Sequence, residues 1–183
     1  LLNLAVGFNN QVQMIFWGTP PPERLRGLSN VDWVPIALGG YEEFASFFQL
    51  QKPDIFIAPL ESNLFNDCKS HLKFLEYSAL GVPGVYSRVK PYERIIIHGH
   101  NGFLASSVDE WESCLEKLIT EPELRCQMGL QAQQTVTQGW LLSDHAYKWA
   151  DLYRGFLKTA PTTQKDMPAI QIVRKMHDFQ RAM

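Results

Sequence analysis

Short apolar runs alternate along the chain with stretches whose apolar residues recur every three or four positions. VQMIFW (12–17), VDWVPI (31–36), DIFIAPL (54–60), GVYS (84–87) and GFLA (102–105) read as strands. Several are apolar throughout, which suits a parallel sheet covered on both faces. Between them the helical period marks 21–28, 41–50, 70–80 and 91–98, and three longer helices follow at 108–119, 121–137 and 140–158. Regular alternation of strand and helix predicts an α/β fold. The expected form is a Rossmann-like, doubly wound parallel sheet of about five strands, helices on both faces and a helical C-terminal region.

Local signals set the boundaries. Glu42 and Glu43 suit the first turn of a helix, at the positive end of its dipole. Gly81 and Pro83 stop the helix before GVYS. The opening residues, LLNLAVGFNN, read as the end of a helix and lack an initiator Met, so a piece of a longer chain is expected. Residues 1–158 are taken as one domain and the polar, proline-bearing 159–168 as a linker. Residues 169–183 follow as an amphipathic helix with Ile172, Val173, Met176 and Phe179 in its stripe.

Composition narrows the class. The 183 residues are 45% hydrophobic and 20% charged with a net charge of −2, ordinary for a globular protein and without a basic field for nucleic acid. Three widely spaced cysteines fit neither a disulfide framework nor a metal site, which favours a reduced, cytoplasmic setting. No apolar run approaches the ~18 residues of a membrane span. His98 and His100 stand in a Gly-rich turn without a carboxylate or Cys beside them, so no metal is expected there.

The chemistry concentrates in KSHLKFLEYSALGVP (69–83). If this is a helix, Leu72, Leu75, Ala79 and Leu80 form its buried stripe, and Glu76 lies within that stripe. A buried carboxylate needs a partner: a neighbouring Lys or Arg if its role is structural, or the hydroxyls of a ligand. The connection before it, PLESNLFNDCK, is long against the usual about two to six residues. It leads into a helix start with Asn66, Asp67, Lys69 and Ser70, where free amides and a lysine could hold an anion. In an open parallel sheet, ligands bind outside the carboxyl ends of the strands.

PDIFIAPL, KSHLKFLEYSALGVPGVYS and HGHNGFL resemble the nucleotide-sugar-binding domain of retaining GT-B glycosyltransferases, most closely group 1 (family 4) enzymes of bacterial surface-polysaccharide type. The resemblance covers most of residues 11–157. It implies a donor site marked by two glutamates separated by seven residues, the first on the sugar and the second on the ribose hydroxyls. Glu76, with Ala79, Gly81 and Pro83 behind it, matches the second; at the first stands Cys68, so that either Asp67 or Glu61 supplies the sugar contact, or the donor sugar is held differently, or transfer is impaired.

By that resemblance the partners are a nucleotide-sugar donor and a glycan or lipid-linked acceptor, with no cofactor and no obligatory metal. The site is cytoplasmic or at the surface of the inner membrane. The family's first strand and its amino-terminal, acceptor-binding domain are expected to lie outside this chain, so that it would not transfer sugar alone. A non-catalytic sugar-nucleotide-binding or scaffold module is the alternative, with a sugar-nucleotide epimerase third. A receiver-type regulator is disfavoured, because Asp54 begins its strand rather than ending it.

Overall fold

The computed structural model describes residues 1–35, 40–51 and 53–159. Most of the expected linker, all of the expected C-terminal helix and the end of the 31–36 strand lie outside the described residues. The elements run α1 (Leu2–Gly7), β1 (Met14–Trp17), a 3-10 turn (Glu23–Leu25), β2 (Val31–Val34), α2 (Tyr41–Gln51), β3 (Phe56–Ala58), α3 (Leu64–Asp67) and α4 (Leu72–Ala79). Then come β4 (Gly84–Ser87), α5 (Lys90–Glu93), β5 (Phe103–Ala105), α6 (Val108–Thr120), α7 (Pro122–Gly139) and α8 (Leu142–Thr159).

Every strand pairing is parallel. The side chains of the longer sheet alternate between two cores, as a pleated strand requires. Phe56, Ala58, Tyr86 and Leu104 enter one, beneath Phe48 of α2 and Phe74 and Tyr77 of α4. Ile57, Val85, Phe103 and Ala105 enter the other, with Leu4 of α1 and Cys114, Leu115 and Leu118 of α6. Helices therefore cover both faces, and β4 in the middle is buried on both.

The five strands do not form one ladder. β1 and β2 make a pair; β3, β4 and β5 make a separate sheet in that order. Yet Trp17 of β1 meets Phe56 of β3 at 5.9 Å, and Met14 and Ile57 pack on the same cluster. The two sheets lie side by side within common cores. Met14 and Gly18 donate to Asn30 and Val34 at 2.9 Å, and Phe56 donates to Pro83 at 3.0 Å. Alternate residues of a strand turn their amides to opposite sides. Ile15 and Ile57 accordingly turn theirs toward the edges where the sheets do not join.

Two expected helices are shorter than their apolar spacing suggested. Over 21–28 only the 3-10 turn forms: Pro20, Pro21 and Pro22 remove donors and Gly27 takes φ +86°. Over 91–98 the helix ends at Glu93, after which Ile95 and Ile96 both donate to the Tyr92 carbonyl in successive turns. The first 140 residues form one compact unit; a second begins at Leu141. It holds α8, where Trp149 and Tyr153 stand one turn apart with ring centroids at 6.4 Å.

Candidate donor site

The loop after β3 is built rather than slack. Leu60 N–H donates to Ser87 Oγ at 2.7 Å, tying the loop to the end of β4. Asn63 caps α3 by accepting from Asn66 N–H at 2.9 Å, a favoured N-cap arrangement. The buried Asn66 side chain donates back to the Glu61 carbonyl at 2.8 Å, and Asn63 Nδ2 donates to Glu61 Oε2 at 3.3 Å. Asp67 then meets Lys90 Nζ at 2.7 Å, on the first turn of α5. The aspartate beside it raises the pKa of that lysine.

The expected helix start is divided. Asn66 and Asp67 belong to α3, and Cys68 closes that helix with its N–H toward Phe65 O at 3.3 Å. Lys69 and Ser70 are exposed and precede α4, which begins at Leu72 rather than at residue 70. Lys69 Nζ lies 4.9 Å from the centre of the Phe65 ring. The N-cap position of α4 is His71, whose side chain makes no capping bond. Its ring instead meets Trp140 edge-on at 4.4 Å, and partial burial followed by Arg94 lowers its pKa.

Glu76 sits one turn into α4 with its side chain only 8% exposed. Lys73 Nζ, itself half exposed, meets Glu76 Oε2 at 3.0 Å. That supplies the charge a sequestered carboxylate requires. The same ammonium lies 5.7 Å from the Phe44 ring of α2 and 6.0 Å from the Tyr77 ring. The phenols of Tyr77 and Tyr92 both have raised pKa values, by burial first, and the Glu76 charge adds to each. Glu76 is thus a nearly enclosed anion with one cation on it and two un-ionised tyrosines in its field.

The loop after β3 thus carries Glu61 and Asp67, the second held to Lys90; Cys68, Lys69 and Ser70 lie on the connection to α4, and Glu76 lies on α4 itself, paired with Lys73. Lys90, Ser87 and Asn63 carry as much of that arrangement, and the apolar pattern gave no sign of them. Lys90, three residues beyond the end of β4, could have been found from its place at a strand's carboxyl end.

The histidine-bearing turn is structural. Asn101, 1% exposed, accepts from Ile97 N–H at 2.8 Å and donates to the Ile95 carbonyl and Thr135 Oγ1, both at 3.2 Å. His98 Nδ1 accepts from Leu104 N–H at 3.1 Å. Among the described residues no cluster of His, Cys, Asp or Glu could hold a metal ion, and no helix is long and apolar enough to cross a membrane.

The chain belongs to the family described as glycosyl transferases group 1, which matches residues 4–121, and its fold is that of a GT-B glycosyltransferase domain. Solved structures share that fold at low identity. Anabaena Alr3699/HepE in complex with UDP and glucose superposes with a TM-score of 0.66 at 15% identity, over 84% of this chain and 43% of that one. Sucrose-phosphate synthase from Thermosynechococcus elongatus gives 0.62 at 16%, over 87% and 43%. TarM gives 0.58 at 15%, over 83% and 30%. The chain spans less than half the length of each. None of the curated proteins matches it.

Proposed function

We propose that this chain is the donor-binding part of a glycosyltransferase that moves a sugar from a nucleotide-sugar to a glycan or lipid-linked acceptor. The observation that carries the reading is Glu76: a carboxylate 8% exposed, held by one half-exposed lysine, on the helix entered from the loop after β3. Its second oxygen is left for the vicinal hydroxyls of a ribose. Charge-assisted hydrogen bonds of that kind contribute about 1.5–3 kcal/mol each. Exposed Lys69 and Ser70, with the free amides at the start of α4, would face the diphosphate. Asp67, Cys68 and Glu61 border the sugar. The structures of HepE with UDP-glucose and with UDP and glucose support a sugar nucleotide as ligand.

In this reading the protein works by positioning the donor and stabilising the departing diphosphate, with neither cofactor nor resident metal. The acceptor binds to residues beyond this chain, in the cytoplasm or at the inner membrane surface, and the chain alone turns over no donor. Calorimetry with UDP, GDP and ADP tests the donor site. Glu76→Gln should lower the affinity of the preferred nucleotide roughly tenfold or more, the loss of one charge-assisted bond. Unchanged affinity with a lowered melting temperature would make Glu76 a purely structural acid. A non-catalytic sugar-nucleotide-binding module is the second reading, favoured by Cys68 at the place of the family's first glutamate. Donor transfer by this chain when joined to an acceptor-binding domain separates the two.

A further inference from the structure

A column of aromatic rings runs through the core beneath the longer sheet and comes to the surface beside Glu76. Phe56 and Tyr77 stack at 3.9 Å, Phe48 stacks on Phe56 at 5.1 Å, and Phe44 stacks on Phe48 at 5.4 Å. Tyr41 follows at 6.1 Å from Phe44 and is 66% exposed. Phe44 and Tyr41 form the outer end of the column, on the first turn of α2. Nothing in the core accounts for Tyr41, which adds almost no buried surface to it.

The place of this end relative to the carboxylate is fixed by one residue. Lys73 Nζ is 3.0 Å from Glu76 Oε2 and 5.7 Å from the centre of the Phe44 ring. The path from carboxylate to ring therefore spans no more than a nucleoside's own length. The charge at that end also discriminates. Glu42 stands in the first turn of α2 and disfavours a diphosphate there more than an uncharged ring.

We infer that Tyr41 and Phe44 form the stacking platform for the nucleobase of the donor, with Lys73 as the post between base and ribose. The inference rests on the assignment of the ribose to Glu76 and orients the nucleotide within it: base toward α2, diphosphate toward Lys69 and the start of α4. Any planar base offers a π-face to such a platform, so it contributes affinity without choosing between uracil, guanine and adenine. The choice of base falls to hydrogen-bonding groups around it.

The test uses the full chain with two ligands, UDP and ribose 5-phosphate, the second lacking a base. Binding is followed by calorimetry for UDP and by ligand-observed NMR for the sugar phosphate. Tyr41→Ala should weaken UDP by about fivefold or more, the effect of losing one base–aromatic stack, and leave ribose 5-phosphate unchanged. Tyr41→Phe should restore UDP binding. Glu76→Gln should weaken both ligands. If Tyr41→Ala leaves UDP affinity unchanged while Glu76→Gln lowers it, the platform is overturned and the ribose assignment stands. If Glu76→Gln changes neither ligand, the ribose assignment fails and takes this orientation with it.

Discussion

At the residue scale the unequal exposure of Lys73 and Glu76 gives an asymmetric prediction. Lys73 is half exposed and Glu76 is 8% exposed, so their removal is not equivalent. Lys73→Met leaves a nearly enclosed carboxylate without its cation and should lower unfolding stability by roughly 1–2 kcal/mol, discounted for the solvent that reaches the lysine. Glu76→Gln leaves a lysine that can turn to water and should cost less. Paired denaturant titrations check this, and a larger loss for Glu76→Gln would contradict it. His71 adds a pH dependence. Its folded pKa lies below the ordinary value near 6.5, so the unfolded chain binds that proton more readily. The neutral ring's contribution is complete above about pH 6.5 and is lost as pH falls toward the folded pKa. Melting temperature should therefore decline from pH 7.5 to 5.5, less steeply in His71→Phe, which keeps a ring against Trp140. A parallel decline in the two proteins would assign the effect elsewhere.

At the element scale, the end of α4 shows how much of the site region could be read from residues alone. Gly81 and Pro83 mark the stop, and the structure closes it with a Schellman arrangement: Val82 N–H to Tyr77 O at 3.4 Å and Gly81 N–H to Ser78 O at 2.9 Å. Gly81 takes φ +71°, so Gly81→Ala should cost about 1–2 kcal/mol from the left-handed backbone, since a Cβ there meets only Gln133 at ordinary contact distance. Gly129→Ala should cost more. Its Cβ would collide with the Gly81 carbonyl oxygen and press on Pro83, where α7 crosses the end of α4. Thermal melts of the two variants give the order, and an equal or milder effect of Gly129→Ala would show that α7 can withdraw. Gly81 was legible because a stop is local. Gly129 was not, because its reason lies 48 residues away. The expected buried stripe of α4 did not hold, since Leu72 and Ala79 are exposed and the helix buries Phe74, Tyr77 and Ser78 instead. Glu76 was conspicuous only as an acid among apolar neighbours, and Lys90 and Ser87 gave no sign because their partners are brought to them by the fold. α3 escaped notice too: four residues carry no period, and Asn63 looked like one more polar loop residue until it capped them.

At the scale of the whole molecule, strand identity and parallel pairing followed from apolar runs, while the division of the sheet did not. Runs such as MIFW and DIFIA reveal burial on both faces, which both sheets satisfy, but a strand's neighbours are chosen by backbone edges that every sequence shares. The consequence is measurable. β4 is paired on both sides, with Val85 fully buried and Tyr86 1% exposed, whereas β1 and β3 each keep one edge outside a ladder. Opening that exposes a β4 amide must break two ladders and both cores; an amide on the free edge of β1 or β3 has no strand bond to break. Hydrogen exchange should therefore be slowest for β4 amides and faster by orders of magnitude at Ile15 and Ile57, although Ile57 belongs to a strand inside the core. Slow exchange at Ile15 and Ile57, equal to that of Val85, would mean that those edges are paired in solution and that the two sheets act as one.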